Sequence, residues 1–205
     1  MRTLGEIPAP AASALRAGTL RRADQEAFGR LLGELAGIRV AMVTGEPRRK
    51  RAAAAGLASA AAATGTRTAL LECDLAEPTL AEELGVALAP GLREYLRGEA
   101  EAARILRPLV LAGPGSAPAR EPLVCVVAGR PAEDSEALLG SDGFRQAVAG
   151  LRDAHELVVV EGPPSSAASA LAAVARNVEA TLLCVGGDEE VPALAVSVAG
   201  LIRQR

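Results

Sequence analysis

Five short apolar runs decide what this chain can fold into: RVAMVT (39–44), TALLEC (68–73), LVCVVA (123–128), LVVVEG (157–162) and TLLCVG (181–186). Each is rich in Val and Leu and shows no polar alternation. Such a run has both faces covered, as strands inside a parallel sheet do. Helix-like stretches separate the runs, near 51–63, 79–84, 91–97, 142–152, 165–175 and 190–203, and an amphipathic segment at 24–37 precedes the first. Alternating strands and helices with right-handed crossovers imply an α/β three-layer sandwich about a mostly parallel central sheet. Gly65 suits a helix C-cap and Pro78 a turn. The Pro/Gly/Ala-rich segment 108–122 reads as a loop. The chain ends on a helix-like stretch, so the sheet is expected to lack an edge strand.

With 205 residues, half of them hydrophobic, the chain can bury one full core. Aromatics make up only 1%, so that core must come from Ala, Leu and Val. The net charge of -3 gives no general attraction to nucleic acid or anionic membrane. Cys73, Cys125 and Cys184 sit in or beside apolar runs, no Cys-x-x-Cys occurs, and His155 is the sole histidine. Zinc is therefore not expected, and buried free thiols are. The opening MRTLGEIPAP lacks an apolar leader core, and no run reaches the roughly 20 apolar residues of a membrane helix. A soluble, cytoplasmic protein is the expectation.

Ligands in open α/β sheets bind at the carboxyl ends of the strands. At the first such end stands AMVTGEPRRKRAAAAGLASA (41–60), a strand, a tight turn and a helix. It contains the only lysine of the chain, Lys50. A P-loop follows Gly-x4-Gly-Lys-[Ser/Thr]: glycines let amides wrap phosphate, the lysine reaches the β/γ-phosphates and the hydroxyl binds magnesium. Here Gly45 serves as first glycine and Lys50 as the lysine, and the loop is one residue short. Arg49 replaces the second glycine and Arg51 the Ser/Thr, with Ala52 following. The candidate nucleotide-binding set is Gly45, Arg48, Arg49, Lys50, Arg51 and Ala52. Four cations, Arg48 to Arg51, gather at a helix N-terminus, where the dipole disfavours them. They need an anion.

Further segments carry a resemblance: TALLECDLAEPTLAEELGV (68–86), GLREYLRGEA (91–100), GFRQAVAGLRDAHELVVVEGPPSS (143–166) and ATLLCVGGDEE (180–190). In order and spacing they resemble the bacterial tyrosine kinases of capsule and exopolysaccharide assembly, a branch of the MinD/ParA-type P-loop ATPases. The likeness runs from about residue 24 to the end, giving an N-terminal extension (1–23) and a degenerate P-loop kinase-like domain (24–205). LGEIP (4–8) resembles the segment joining the family's membrane part to its kinase domain.

By that resemblance the Walker A lysine is Lys50, and the second acidic motif falls on Glu72, Cys73, Asp74, Leu75 and Ala76. Walker B falls on Glu161, Gly162, Pro163 and Pro164. The resemblance implies ATP and Mg²⁺ as cofactors, Glu72, Asp74 and Glu161 as metal ligands, and Lys50 and Asp74 as catalytic residues. Both leading aspartates have become glutamates, and the hydroxyl ligand is gone. Longer carboxylate arms spoil the short octahedral contacts Mg²⁺ demands. The anion for the arginine cluster is then either a bound phosphate or Glu72, Asp74 and Glu161 themselves. Several motifs degrade together, which favours a salt-bridge knot.

The family's oligomerisation motif falls on Glu26, Gly29 and Leu32, with both arginines replaced, and its C-terminal tyrosine cluster is absent; the sole tyrosine is Tyr95. His155 is expected on the surface, Ser165 and Ser166 as a helix N-cap, and Asp188 to Glu190 at the start of the last helix. The leading expectation is a regulatory or scaffold partner in exopolysaccharide or capsule biosynthesis, with little or no catalysis. It would dock on a membrane-bound polysaccharide co-polymerase or activator, at the inner face of the membrane through that partner or an upstream membrane segment. A homo-oligomer is compatible with the family; nucleic acid is not an expected partner. The alternatives are an active ATP-dependent protein-tyrosine kinase and a MinD/ParA-like positioning ATPase.

Overall fold

The five apolar runs become the middle of one sheet. The computed structural model describes residues 3–7, 22–109, 123–186 and 196–204. Among them are eight strands: β1 (Thr3–Ile7), β2 (Val40–Gly45), β3 (Thr68–Glu72), β4 (Arg107–Leu109), β5 (Leu123–Val126), β6 (Leu157–Glu161), β7 (Ala180–Gly186) and β8 (Gly200–Gln204). Their order across the sheet is β1-β8-β7-β2-β6-β3-β5-β4. Every pairing is parallel except β4 with β5. Residues of β2, β3, β6 and β7 are buried throughout, as their unbroken apolar composition requires. The α/β sandwich with a mostly parallel sheet is the observed architecture.

Helices cover both faces. On one, α1 (Arg22–Glu34) and α2 (Pro47–Ala63) bury Phe28, Leu31 and Leu57 against Val43, Leu70 and Val159. The alanines of α2 let it lie close to the sheet. Gly56 makes room for Phe28, whose ring stands 2.2 Å from where a Cβ would be. Four short or one-turn helices follow in the chain's middle: α3 (Leu80–Leu84), α4 (Leu92–Leu96), α5 (Ala102–Ile105) and α6 (Ser135–Leu139). On the other face α7 (Asp142–Ala154) and α8 (Ala168–Ala175) bury Phe144, Leu171 and Val174 against Met42, Leu71 and Val160. Cys73, Cys125 and Cys184 are buried and none is in a disulfide. Among the described residues, no helix is long and apolar enough to cross a membrane.

Four expectations need correction. The sheet does not lack an edge: 200–204, placed in a helix by its apolar content, is β8, parallel to β7, and β1 lies outside it. Ala/Val/Leu-rich runs do not separate helix from strand by period alone, and pairing decides here. Gly200 fits because Leu4 of β1 fills the space a Cβ would need, at 2.2 Å. Residues 107–109, partly inside the expected loop, form an edge strand with β5. Helix α2 begins at Pro47 rather than near 51, because Glu46 caps it and Pro47 occupies its first turn. Ser165 and Ser166 do not cap α8; its N-cap is Ala167, without a side-chain hydrogen bond. Gly65 stands just past the α2 C-cap, Thr64, with φ of 89°. The expected helix start at Asp188–Glu190 lies outside the described residues, as does most of the 108–122 loop.

Candidate functional site

The site lies at the carboxyl ends of β2, β3 and β6. β2 ends at Gly45, and a single residue, Glu46, separates it from α2. Gly45 is irreplaceable there: its φ is 141°, and the Cys184 carbonyl oxygen lies 2.2 Å from a hypothetical Cβ. No loop remains to wrap a phosphate. The Arg48 and Arg49 amides, which stand where a P-loop would cradle one, donate instead to the Glu46 carboxylate at 3.2 and 3.1 Å. Sequence reasoning missed Glu46; the Glu-Pro pair at a helix start is the signal that marks it as the cap.

Lys50 sits one turn into α2 and is fully buried. Its Nζ lies 2.6 Å from Glu161 Oε1 and 3.1 Å from Asp74 Oδ2. Burial opposes charge on Lys50, and the two carboxylates overcome it and hold the ammonium above its ordinary pKa. Glu161 is at the end of β6, 1% exposed. Burial pushes its carboxyl up to about 7, against the pull of Lys50 and with the help of the Glu72 charge. Its second oxygen, Oε2, has no hydrogen-bond partner among the described residues.

Arg51 takes part as well. Its Nη1 donates to Glu83 Oε1 of α3 at 2.7 Å, and its Nε approaches Glu161 Oε1 at 3.8 Å. Glu83 carried no signal in the sequence. Arg48 is exposed and Arg49 and Ala52 half-buried. Ala52 brings no polar side-chain atom.

Glu72 does not join the knot. It is the registered neighbour of Glu161 across β3 and β6 and is buried beside it. Its Oε1 accepts from the Thr79 and Leu80 amides and its Oε2 from the Ala128 amide, each at 2.8 Å. Burial raises its pKa, and these amides, with Lys50, oppose the rise. Glu72 thus braces the start of α3 and the segment after β5. Asp74 accepts from the Glu77 amide at 3.3 Å and pairs with Lys50.

The structure therefore brings together Lys50, Arg51, Asp74 and Glu161, and turns Glu72 to the backbone. The implied Mg²⁺ does not fit this donor set. Among the described residues, no three His, Cys, Asp or Glu side chains gather as a metal-binding group. The hydroxyl is absent, Glu72 is taken by amides, and Asp74 and Glu161 hold a cation already. Beside the knot a cavity of about 200 Å³ remains, lined by Pro47, Asp74, Pro163 and Pro164 among others. Ligand pockets for drug-sized molecules run from roughly 300 Å³ upward. Tyr95 is half-buried and lines a different, apolar cavity of about 250 Å³ with Leu71, Leu92 and His155. His155 is half-buried rather than a plain surface residue, its Nδ1 2.9 Å from the Leu151 carbonyl.

Known proteins share this frame. No protein-family model matches the chain. It is 30% identical over 129 residues to the tyrosine-protein kinase Wzc of Salmonella typhi, a match spanning 63% of this chain and 17% of that protein. The kinase domain of Escherichia coli tyrosine kinase ETK superposes with a TM-score of 0.80 at 20% identity, covering all of this chain and 90% of that one. The chimerical protein CapA2B2 gives 0.82 at 16% identity, covering all of this chain and 94% of the other. The septum site-determining protein MinD of Pyrococcus horikoshii, complexed with Mg-ADP, gives 0.56 at 16% identity, over 73% of this chain and 58% of that one. The chain has the bacterial tyrosine-kinase, MinD/ParA-type P-loop fold.

Proposed function

We propose that this chain is a non-catalytic relative of the polysaccharide-assembly kinases, acting as a regulatory or docking module. One observation carries the proposal: Lys50, the residue that would grip nucleotide phosphates, is fully buried and held by Asp74 and Glu161. A lysine whose charge is met by two internal carboxylates gains little from a phosphate, and releasing it would leave buried charges unpaired. The Glu46 carboxylate on the Arg48 and Arg49 amides supports the same reading. The partner is a membrane-bound polysaccharide co-polymerase or activator, in keeping with the likeness to Wzc over part of its length. The folded domain then serves as a fixed surface, with no nucleotide cycle to change its shape.

Calorimetry with ATP and ADP, with and without Mg²⁺, tests the proposal alongside a phosphotransfer assay using radiolabelled ATP. No heat and no label on Tyr95 or on an added tyrosine peptide is the expected result. Submillimolar nucleotide binding lost in Lys50→Ala, with label transferred to tyrosine, favours the active kinase instead. Nucleotide-driven dimerisation without transfer favours a positioning ATPase.

A further inference from the structure

We infer that Arg51 is a resident cation that takes the divalent metal's place at this site, so that the chain takes no Mg²⁺ there. The inference deepens the reading of the site as filled by its own side chains, and rests on it. Arg51 stands at the position of the P-loop hydroxyl, one residue after Lys50. Its side chain is only 11% exposed and reaches two acidic groups on different elements, Glu83 of α3 and Glu161 of β6. The guanidinium thus lies against the Walker B carboxylate, where a metal would compete for the same oxygens.

Charge and ligand count agree. A dication brought beside a guanidinium and an ammonium in a buried site meets strong repulsion, since screening is weak there. Mg²⁺ also needs a near-octahedral set of oxygens. Among the described residues, Glu161 Oε2 is the one fully buried carboxylate oxygen without a hydrogen-bond partner. It cannot supply that set alone. The Arg51 Nε is likewise buried without a hydrogen-bond partner, so the guanidinium is anchored through Nη1 on Glu83 and meets Glu161 by charge alone. A neutral or hydroxyl side chain at 51 would remove one of the two cations beside Glu161 and leave room there, with Lys50 still on Glu161 Oε1.

Mn²⁺ is the probe, because its free aquo ion gives an electron paramagnetic resonance signal that falls on binding. Wild-type protein, Arg51→Ser and Arg51→Gln are titrated with Mn²⁺ alone and checked for folding by circular dichroism. The wild type is expected to leave the signal unchanged. Arg51→Ser is expected to bind one Mn²⁺ per chain, lowering the signal at roughly a tenth or less of the protein concentration at which the wild type still shows no effect. The gain should disappear in Arg51→Ser/Asp74→Asn. If Arg51→Ser does not fold, Arg51→Gln, which keeps the length and removes the charge, is judged by the same criterion. Wild-type binding of one Mn²⁺ that Asp74→Asn abolishes overturns the inference. So does a folded Arg51 variant that gains no metal. Metal-free nucleotide binding or phosphotransfer by the wild type would overturn the proposed function and leave this inference standing; wild-type Mn²⁺ binding without nucleotide does the reverse.

Discussion

Lys50 Nζ lies 2.6 Å from Glu161 Oε1 with neither side chain more than 1% exposed, and Asp74 completes the group. Removing one partner of a buried ion pair leaves the others charged and desolvated, a cost of about 3–5 kcal/mol. Lys50→Ala is therefore expected to destabilise the fold by about that much. A lysine that merely awaits a ligand would give close to no change. Urea unfolding at neutral pH separates the two.

The pH dependence of stability follows from Glu161. Its folded pKa of about 7 lies above the ordinary 4.5, so the folded state binds the proton more tightly than the unfolded chain. This contribution is complete below pH 4.5 and is lost as the pH rises through about 7. Glu72, also raised, acts with the same sign. Stability should thus increase on acidification from pH 8 to pH 5, by on the order of 1–3 kcal/mol. In Glu161→Gln the slope between pH 5 and 7 should flatten. A wild type that loses stability steadily over that window would contradict the assignment.

Glu72 separates a bracing role from a metal-binding one. Three amides depend on its two oxygens, those of Leu80 and Ala128 buried and that of Thr79 half-buried. Each buried donor left without an acceptor costs about 1–3 kcal/mol. Glu72→Ala should destabilise by at least about 2 kcal/mol, and added Mg²⁺ should not alter the difference. Thermal melts with MgCl₂ and with EDTA provide the check.

Much of this was legible in the sequence, for identifiable reasons. Apolar runs such as Leu157–Glu161 are buried on both faces, and burial of that kind leaves a short, continuous Val/Leu-rich run between helix-like stretches. Lys50 stood out by its place after a strand end, and the resemblance to the tyrosine-kinase family grouped Asp74 and Glu161 with it. The fate of Glu72 could not be read, since its partners are main-chain amides and amides have no sequence signature. Glu83 reaches Arg51 through the placing of α3, which is a tertiary matter. β8 was hidden because its apolar run fits a helix equally well until β7 is beside it.

The cap at Glu46 is worth an experiment of its own. Its carboxylate accepts from the Arg48 and Arg49 amides at the head of α2 and offsets the cations that follow. Loss of an N-cap acceptor costs about 1 kcal/mol. Glu46→Ala should show about that loss, and Glu46→Asp, which can still accept, should recover most of it. If the vacated amides then bound inorganic phosphate, the melt of Glu46→Ala would rise with phosphate while the wild type stayed constant.

Gly45 gives the sharpest steric prediction. It ends β2 with φ of 141°, a value that L side chains rarely adopt, and a Cβ would stand 2.2 Å from the Cys184 carbonyl oxygen of β7. That oxygen is backbone in a fully buried strand and cannot swing aside. Gly45→Ala must therefore spread β2 from β7 or turn the Gly45–Glu46 peptide, and either displaces the start of α2 that carries Lys50. The expected cost is about 3 kcal/mol, from overpacking together with backbone strain. Loss should be read in two places: a lower urea midpoint, and faster hydrogen exchange at the Lys50 amide, which donates to the Glu46 carbonyl at 2.9 Å. A variant with an unchanged midpoint would mean the junction between β2 and α2 is looser than this packing allows.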